Sequence, residues 1–135
     1  MVLRLTIKGR PITKKNSSRY VGHGRLLPSV QYVKYEKAAV PQLQEQLKDK
    51  VITDNVSVKV LYYLPNRVGW PDLVGLMQAT GDILEKAGVI KNDRQIVSWN
   101  GTRIVGIDKL NPRAEIEIEV QFDEALAYAR GEEFA

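Results

Sequence analysis

Alternation of apolar and polar residues marks both ends of the chain. Residues 2–8 (VLRLTIK) place Leu3, Leu5 and Ile7 on one side and Arg4, Thr6 and Lys8 on the other, which predicts a first strand with one buried face. Residues 114–122 (AEIEIEVQF) alternate most regularly, with Ile116, Ile118, Val120 and Phe122 inward and glutamates outward. Residues 55–64 (NVSVKVLYYL) predict another strand, with Val56, Val58, Val60, Tyr62 and Leu64 facing one way. Its far end is apolar on the second side too, through Leu61 and Tyr63. Residues 95–105 (QIVSWNGTRIV) read either as a strand or as a hairpin through Asn100-Gly101.

Two segments carry the helical period instead. Ser29 is a suitable N-cap for a helix over about 30–48, where Tyr32, Tyr35, Ala39, Leu43 and Leu47 fall near helical spacing. Pro41 lies inside it and is expected to kink or divide it. In residues 72–87, Leu73, Leu76, Met77, Thr80, Ile83, Leu84 and Ala87 share one broad face. Val74, Gly75, Gln78, Gly81, Asp82, Glu85 and Lys86 take the other, and Gly88 supplies a stop. Two residues break this pattern: Val74 is apolar on the polar face, and Gly75 weakens the first turn by up to ~1 kcal/mol relative to alanine.

Residues 9–28 form a long loop punctuated by Pro11, Gly22, Gly24 and Pro28, and a short helix from Asp123 to Arg130 is expected to close the domain. The order β-α-β-α-β-β-α predicts an α/β (α+β) fold in a single domain over residues 1–135. Its expected core is a small mixed, mostly antiparallel sheet of about four strands, with two main helices on one face.

Composition narrows the chemistry. The 135 residues contain no cysteine and one histidine, His23, so thiolate zinc sites, cysteine nucleophiles and histidine clusters are excluded. A bound metal would have mostly oxygen ligands, which suits magnesium or manganese. Apolar runs are too short for a membrane span and the N-terminus alternates too early for a signal peptide, so the expectation is a cytoplasmic protein with no membrane partner. The net charge is only +4, but it is unevenly spread. Residues 1–35 hold eight basic side chains (Arg4, Lys8, Arg10, Lys14, Lys15, Arg19, Arg25 and Lys34) and no acid, while residues 114–135 hold seven acids and one base. Such asymmetry points to a polyanion surface near the N-terminal segment, although a solvated basic loop has the same composition.

Three carboxylates around the second helix are candidates for catalysis. Asp72 stands at its start, where a helix cap would also explain it. Asp82 stands on its side, four residues before Lys86, and a surface ion pair with that lysine would also explain it. Asp93 follows in the turn KND, a place where aspartate is a common turn former. Asp72 and Asp82 are ten residues apart, about 15 Å along a continuous helix, and cannot share one ion. The chain turns at Gly88 and returns, so Asp72 and Asp93 are the pair expected to converge, with Asp82 third. In RPITKKNSSR (10–19), Arg10, Lys14, Lys15, Asn16 and Arg19 are suited to phosphate contacts, and Arg25, Arg103 and Arg113 are further basic candidates. Tyr20 and Tyr32 could stack on bases or belong to the core.

Taken together, these pieces resemble the RusA-type endonucleases, which resolve four-way (Holliday) DNA junctions and are common in phages and prophages. The resemblance rests on KGRPITKKNSSR (8–19), LLPSVQYVKYE (26–36), PDLVGLMQATGDILEKAGVIKND (71–93) and DKLNPRAEIEI (108–118), in that order, and spans about residues 3–121. It implies a small α/β homodimer without a small-molecule cofactor. It also implies Mg2+ or Mn2+ dependence, with Asp72 and Asp93 as metal ligands, and cleavage of branched DNA by paired nicks in recombination and repair. The central motif of that family runs Asp-Leu-Asp-Asn-Leu-x-Lys, then a helix, then an Asp-Asp pair. Asp72 matches the first aspartate and Asp93 the last. Val74, Gly75, Gln78 and Asn92 stand where the motif has Asp, Asn, Lys and Asp. A metal-assisted nuclease needs negative charge to hold its cation, so these departures raise a second function: a catalytically weakened or inactive junction-binding protein on the same scaffold. A third reading is an accessory protein whose acidic Glu115/Glu117/Glu119 face binds a partner.

Overall fold

The computed structural model describes residues 2–14, 19–20, 26–27, 29–48 and 51–121. Along the chain the elements are β1 (Val2–Lys8), β2 (Arg19–Tyr20), β3 (Leu26–Leu27), α1 (Val30–Leu47), β4 (Val56–Leu64), α2 (Leu73–Lys86), a 3-10 turn (Asp93–Gln95), β5 (Ile96–Ser98), β6 (Arg103–Ile107) and β7 (Arg113–Val120).

The two alternating end segments pair with each other. β1 and β7 run antiparallel from Val2↔Glu119 to Lys8↔Arg113. β7 also pairs antiparallel with β4, setting Val58 opposite Ile118 and Val60 opposite Ile116. Because the period is two, one register puts Leu5, Ile7, Val56, Val58, Val60, Tyr62, Ile116 and Ile118 on the same buried face. α1 and α2 cover that face with Ala39, Leu43, Leu47, Leu76, Ile83 and Leu84. The other sheet face stays open and charged, with Arg4 and Lys59 both paired to Glu117 at 3.1 Å.

β1 is the sheet's outer strand, and α1 covers its free edge. The amides of Gln42 and Gln46, one helical turn apart, each bond both ways with the β1 backbone. Gln46 accepts from Thr6 N (2.8 Å) and donates to Thr6 O (2.7 Å); Gln42 accepts from Lys8 N (2.8 Å) and donates to Lys8 O (3.3 Å). Unpaired strand edges invite wrong partners, and side-chain capping removes that liability.

The main sheet has five strands, mixed and mostly antiparallel, with two helices, as the α+β reading expected. Three expectations change in detail. The 95–105 segment is neither one strand nor a hairpin. β5 and β6 both run parallel to β4, at its start (Val56↔Ile96) and at its end (Leu61↔Arg103 to Leu64↔Ile107). The Asn100-Gly101 turn separates them, Gly101 adopting a φ of 87°, and Thr102 Oγ1 accepts the Val60 N–H (3.0 Å) left open at the break. Pro41 does not divide α1: the helix is continuous from Val30 to Leu47. Pro41 lies on its exposed side, where the carbonyl freed by the missing N–H is open to water. The long loop contains a two-residue antiparallel pair, β2 with β3. The closing helix expected over Asp123–Arg130 lies outside the described residues, as does His23.

α2 starts and stops where its period said. Asp72 caps its N-terminus, and Gly88 ends it at a φ of 78°. The face read as polar, however, is not simply solvated. Gly75 and Gly81 are buried, because other parts of the chain lie against them.

Candidate active site

Two segments approach α2, and each does so at a glycine. At Gly75, a Cβ would fall 2.8 Å from Thr13 Cγ2 and 2.8 Å from Asp72 Oδ1, closer than such atoms come. At Gly81, Asp93 Cβ, Ile96 Cδ1 and Trp99 Cζ2 lie 3.8–3.9 Å from where a Cβ would be. Between these contacts is a cavity of about 270 Å³ lined by Thr13, Lys14, Gly75, Gln78, Ala79, Asp82 and Asp93.

The cavity therefore joins Asp82 and Asp93, with Lys14 between them and the loop. Lys14 Nζ lies 2.5 Å from Asp82 Oδ2. Lys14 Nζ also lies 5.6 Å from the centre of the Tyr32 ring. Tyr32 donates through its hydroxyl to Glu36 Oε2 (3.0 Å), and Lys86 Nζ holds the other oxygen of Glu36 at 2.6 Å. The alternative ion pair between Asp82 and Lys86 is thus absent. Lys86 reaches across to the more enclosed Glu36 of α1, and Asp82 is left to Lys14. Burial first, and then the Glu36 carboxylate, hold the Tyr32 phenol well above its ordinary range, and Asp82 adds to the shift. Tyr32 is 2% exposed, so it supports the wall of the site and cannot stack on a base.

Asp72 is placed differently. Its Oδ2 accepts the Gly75 N–H at 2.8 Å, a helix cap, and it is not among the residues lining the cavity. α2 runs unbroken from Leu73 to Lys86, which keeps Asp72 and Asp82 apart. The cavity lining brings Asp82 together with Asp93, because the returning chain meets the helix at Gly81, while Asp72 stands at the Gly75 end of that lining.

Asp93 is fixed by a residue that periodicity did not pick out. The Gln95 carbonyl accepts the N–H groups of Lys91 (2.7 Å) and Asn92 (3.0 Å), and its amide donates to Ile52 O (2.9 Å) and Asp54 O (2.9 Å). Asn92 caps the same turn, accepting Arg94 N–H at 2.8 Å. Asparagine caps as well as aspartate, so the departure at position 92 keeps the loop's geometry. The spacing Asn92-x-x-Gln95 is a capping-box pattern and was readable in the sequence.

The basic candidates separate. Arg10 donates its guanidinium to Val68 O and so ties down the loop leading to Asp72. Arg113 lies 3.8 Å over the Tyr63 ring and is held by Asp108 (2.8 Å) and Glu115 (2.9 Å). Glu115, then Asp108, push its pKa upward. It is a structural cation of the sheet's open face. Arg103 is exposed at the start of β6 and does not line the cavity. Arg19 is described only as part of β2, and Lys15, Asn16 and Arg25 lie outside the described residues.

Among the described residues, no three His, Cys, Asp or Glu side chains gather into a metal cage. The cavity instead offers two carboxylates and the Gln78 amide oxygen. That all-oxygen set fits a hard divalent ion, which takes one or two protein carboxylates and completes its shell with water and phosphate. Among the described residues, no helix is long and apolar enough to cross a membrane.

Comparison with known proteins gives two findings. Residues 7–119 match the family described as Endodeoxyribonuclease RusA. A protein of Aquifex aeolicus (strain VF5), named crossover junction endodeoxyribonuclease RusA, is 32% identical over 94 residues, which cover 70% of this chain and 74% of that one.

Proposed function

This chain belongs to the RusA family of endodeoxyribonucleases, and we propose on that premise that it is a divalent-metal-dependent nuclease that cuts four-way or similarly branched DNA. The observation that carries this reading is the single cavity shared by Asp82, Asp93 and Lys14. Asp93 and Asp82 would hold magnesium or manganese, whose chemistry there is to activate water and neutralise the scissile phosphate. The chain's own groups do the rest. Lys14 leaves Asp82 for a phosphate oxygen, supplying the positive charge that Gln78 lacks. Gly75 and Gly81 let the Thr13 segment and the Asp93 turn pack against α2, which sets Lys14 and Asp93 at the cavity. Gln95 holds Asp93 at a fixed place. Two such sites in a homodimer would make the paired nicks that resolution of a junction needs.

A second reading rests on its own observation. Val74 is 60% exposed and borders a cleft with Gln78 and Asp93, at the positions where the family motif has a carboxylate and a lysine. A protein altered there could bind junctions with little cleavage. Both readings meet one experiment: cleavage of a synthetic four-way junction with Mg2+ or Mn2+ by wild type, Asp93→Asn and Val74→Asp/Gln78→Lys. Cleavage by wild type that Asp93→Asn abolishes supports the nuclease. Cleavage only by the double variant supports the weakened binder. Wild-type cleavage untouched by Asp93→Asn refutes the assigned site.

A further inference from the structure

Beside the carboxylate cavity is a second cleft of different chemistry. It measures about 260 Å³ and is walled by Val74, Met77, Ile96 and Trp99, with Gly81 as floor and Gln78 and Asp93 on the side shared with the first cavity. The bare backbone at Gly81 makes the floor, with the Trp99 and Ile96 side chains 3.8 Å from where a side chain would begin. We infer that this cleft is a subsite for one unstacked nucleobase of the bound DNA. The inference rests on the nuclease reading and extends it to how the substrate is selected.

Three features argue for that occupant. The first is adjacency: Gln78 and Asp93 line both cavities, and a base is joined to its own phosphate through one sugar. A phosphate held near Lys14 therefore brings its nucleoside to the mouth of the second cleft. The second is size. Pockets for drug-sized ligands start at about 300 Å³, so this cleft suits one planar base and not a base pair. The third is the lining: an indole and aliphatic walls for stacking, with the exposed Gln78 amide offering a donor and an acceptor at the rim for a base edge. A branch-flanking base has lost continuous stacking on one side at most, so its extrusion still costs a few kcal/mol that the cleft contacts must offset. Val74 and Gln78, where the motif would have charges, make this wall neutral.

The test uses four-way junctions carrying 2-aminopurine at single positions flanking the branch, mixed with the full-length protein in EDTA so that no strand is cut. Gel shift and fluorescence are read together for wild type, Trp99→Leu and Gly81→Ala. The alanine variant puts a methyl on the floor while raising helix propensity, so its effect is not one of unfolding. The expected result is a fluorescence change at one branch-flanking position on binding, lost in both variants, with junction affinity about tenfold weaker in Trp99→Leu, as for one lost stacking partner. If wild type shifts the junction but no position responds, or the response survives both variants, the subsite is wrong and the nuclease reading stands. If Trp99→Leu alters the sedimentation coefficient of the free protein, a second copy covers the cleft and the subsite is again wrong. If wild type does not bind the junction, both readings fall.

Discussion

The two faces of α2 were built by opposite means. On the sheet side, side chains fill space: Leu76, Ile83 and Leu84 are buried against β4 and α1. On the cleft side, missing side chains make space: Gly75 admits Thr13 and the Asp72 carboxylate, and Gly81 admits Asp93 and Trp99. A hydrophobic period detects the first device and is blind to the second, because glycine adds nothing to an apolar count. The difference predicts that substitutions on the sheet face are felt as stability and those on the cleft face as activity.

The largest effect belongs to the sheet face. Ile83→Ala empties a fully buried position and should cost about 2–5 kcal/mol, read as a lower urea midpoint. A smaller loss with full cleavage would mean that the helix is not held by this face. The cleft face gives the converse. Asp93→Asn should lower cleavage by about 10²–10³-fold, the scale of removing one group that stabilises the transition state, and leave the urea midpoint unchanged. Asp72→Asn keeps an equally good cap, so stability should hold and cleavage should fall less than for Asp93→Asn. A larger loss at Asp72 would move the reacting phosphate toward the helix N-terminus.

Gln95 tests the boundary between the two faces. Its four hydrogen bonds join the Asp93 loop to residues Ile52 and Asp54. Gln95→Ala should cost about 1–3 kcal/mol from donors and acceptors left unmatched. It should also lower kcat with little change in KM, since the loop would no longer hold its carboxylate still. A fall in stability with kcat intact would make Gln95 purely structural.

These contrasts also explain what could be read in advance. The strands at 2–8, 55–64 and 114–122 and both main helices follow from side-chain periods and caps, which are local. Asp82 ranked third because ligand distances along one helix are readable, while the place where a returning chain meets that helix is not. That place is set by Gly81, whose contacts come from residues 93–99. The partner of Asp82 is hidden for the same reason: Lys86 is its neighbour on the helix, but Glu36 of α1 competes for that lysine from fifty residues away. Gln95 is legible as a capping pattern with Asn92, whereas its bonds to Ile52 O and Asp54 O come from some forty residues away and leave no local signal.

Behind the sheet face, pH gives a further contrast. The Tyr62 hydroxyl donates to Leu76 O (3.1 Å) and lies 2.6 Å from Thr80 Oγ1. Burial pushes its phenol upward, against the smaller opposing effect of the Thr80 hydrogen bond. A raised pKa means that the folded state keeps a proton the unfolded chain loses. The stabilisation is complete below about pH 10 and erodes as pH rises above it. Tyr62→Phe should therefore flatten the alkaline limb of the urea midpoint.

The smallest effect is expected on the open sheet face, which resembles the cleft in charge and differs from it in every other respect. There Lys59, and then Arg4, hold the partly exposed Glu117 carboxyl below its ordinary value. A depressed pKa stabilises above the ordinary glutamate value, about pH 4, and is lost as pH falls through the depressed one. Glu117→Gln should lower the urea midpoint slightly at pH 7, converge with wild type as pH falls through the depressed value, and leave junction cleavage unchanged. Its charges satisfy one another across strands, whereas those of the cleft share a cavity open to a ligand. A cleavage defect in Glu117→Gln would show that the open face also meets DNA, and the division of labour between the two surfaces would fail.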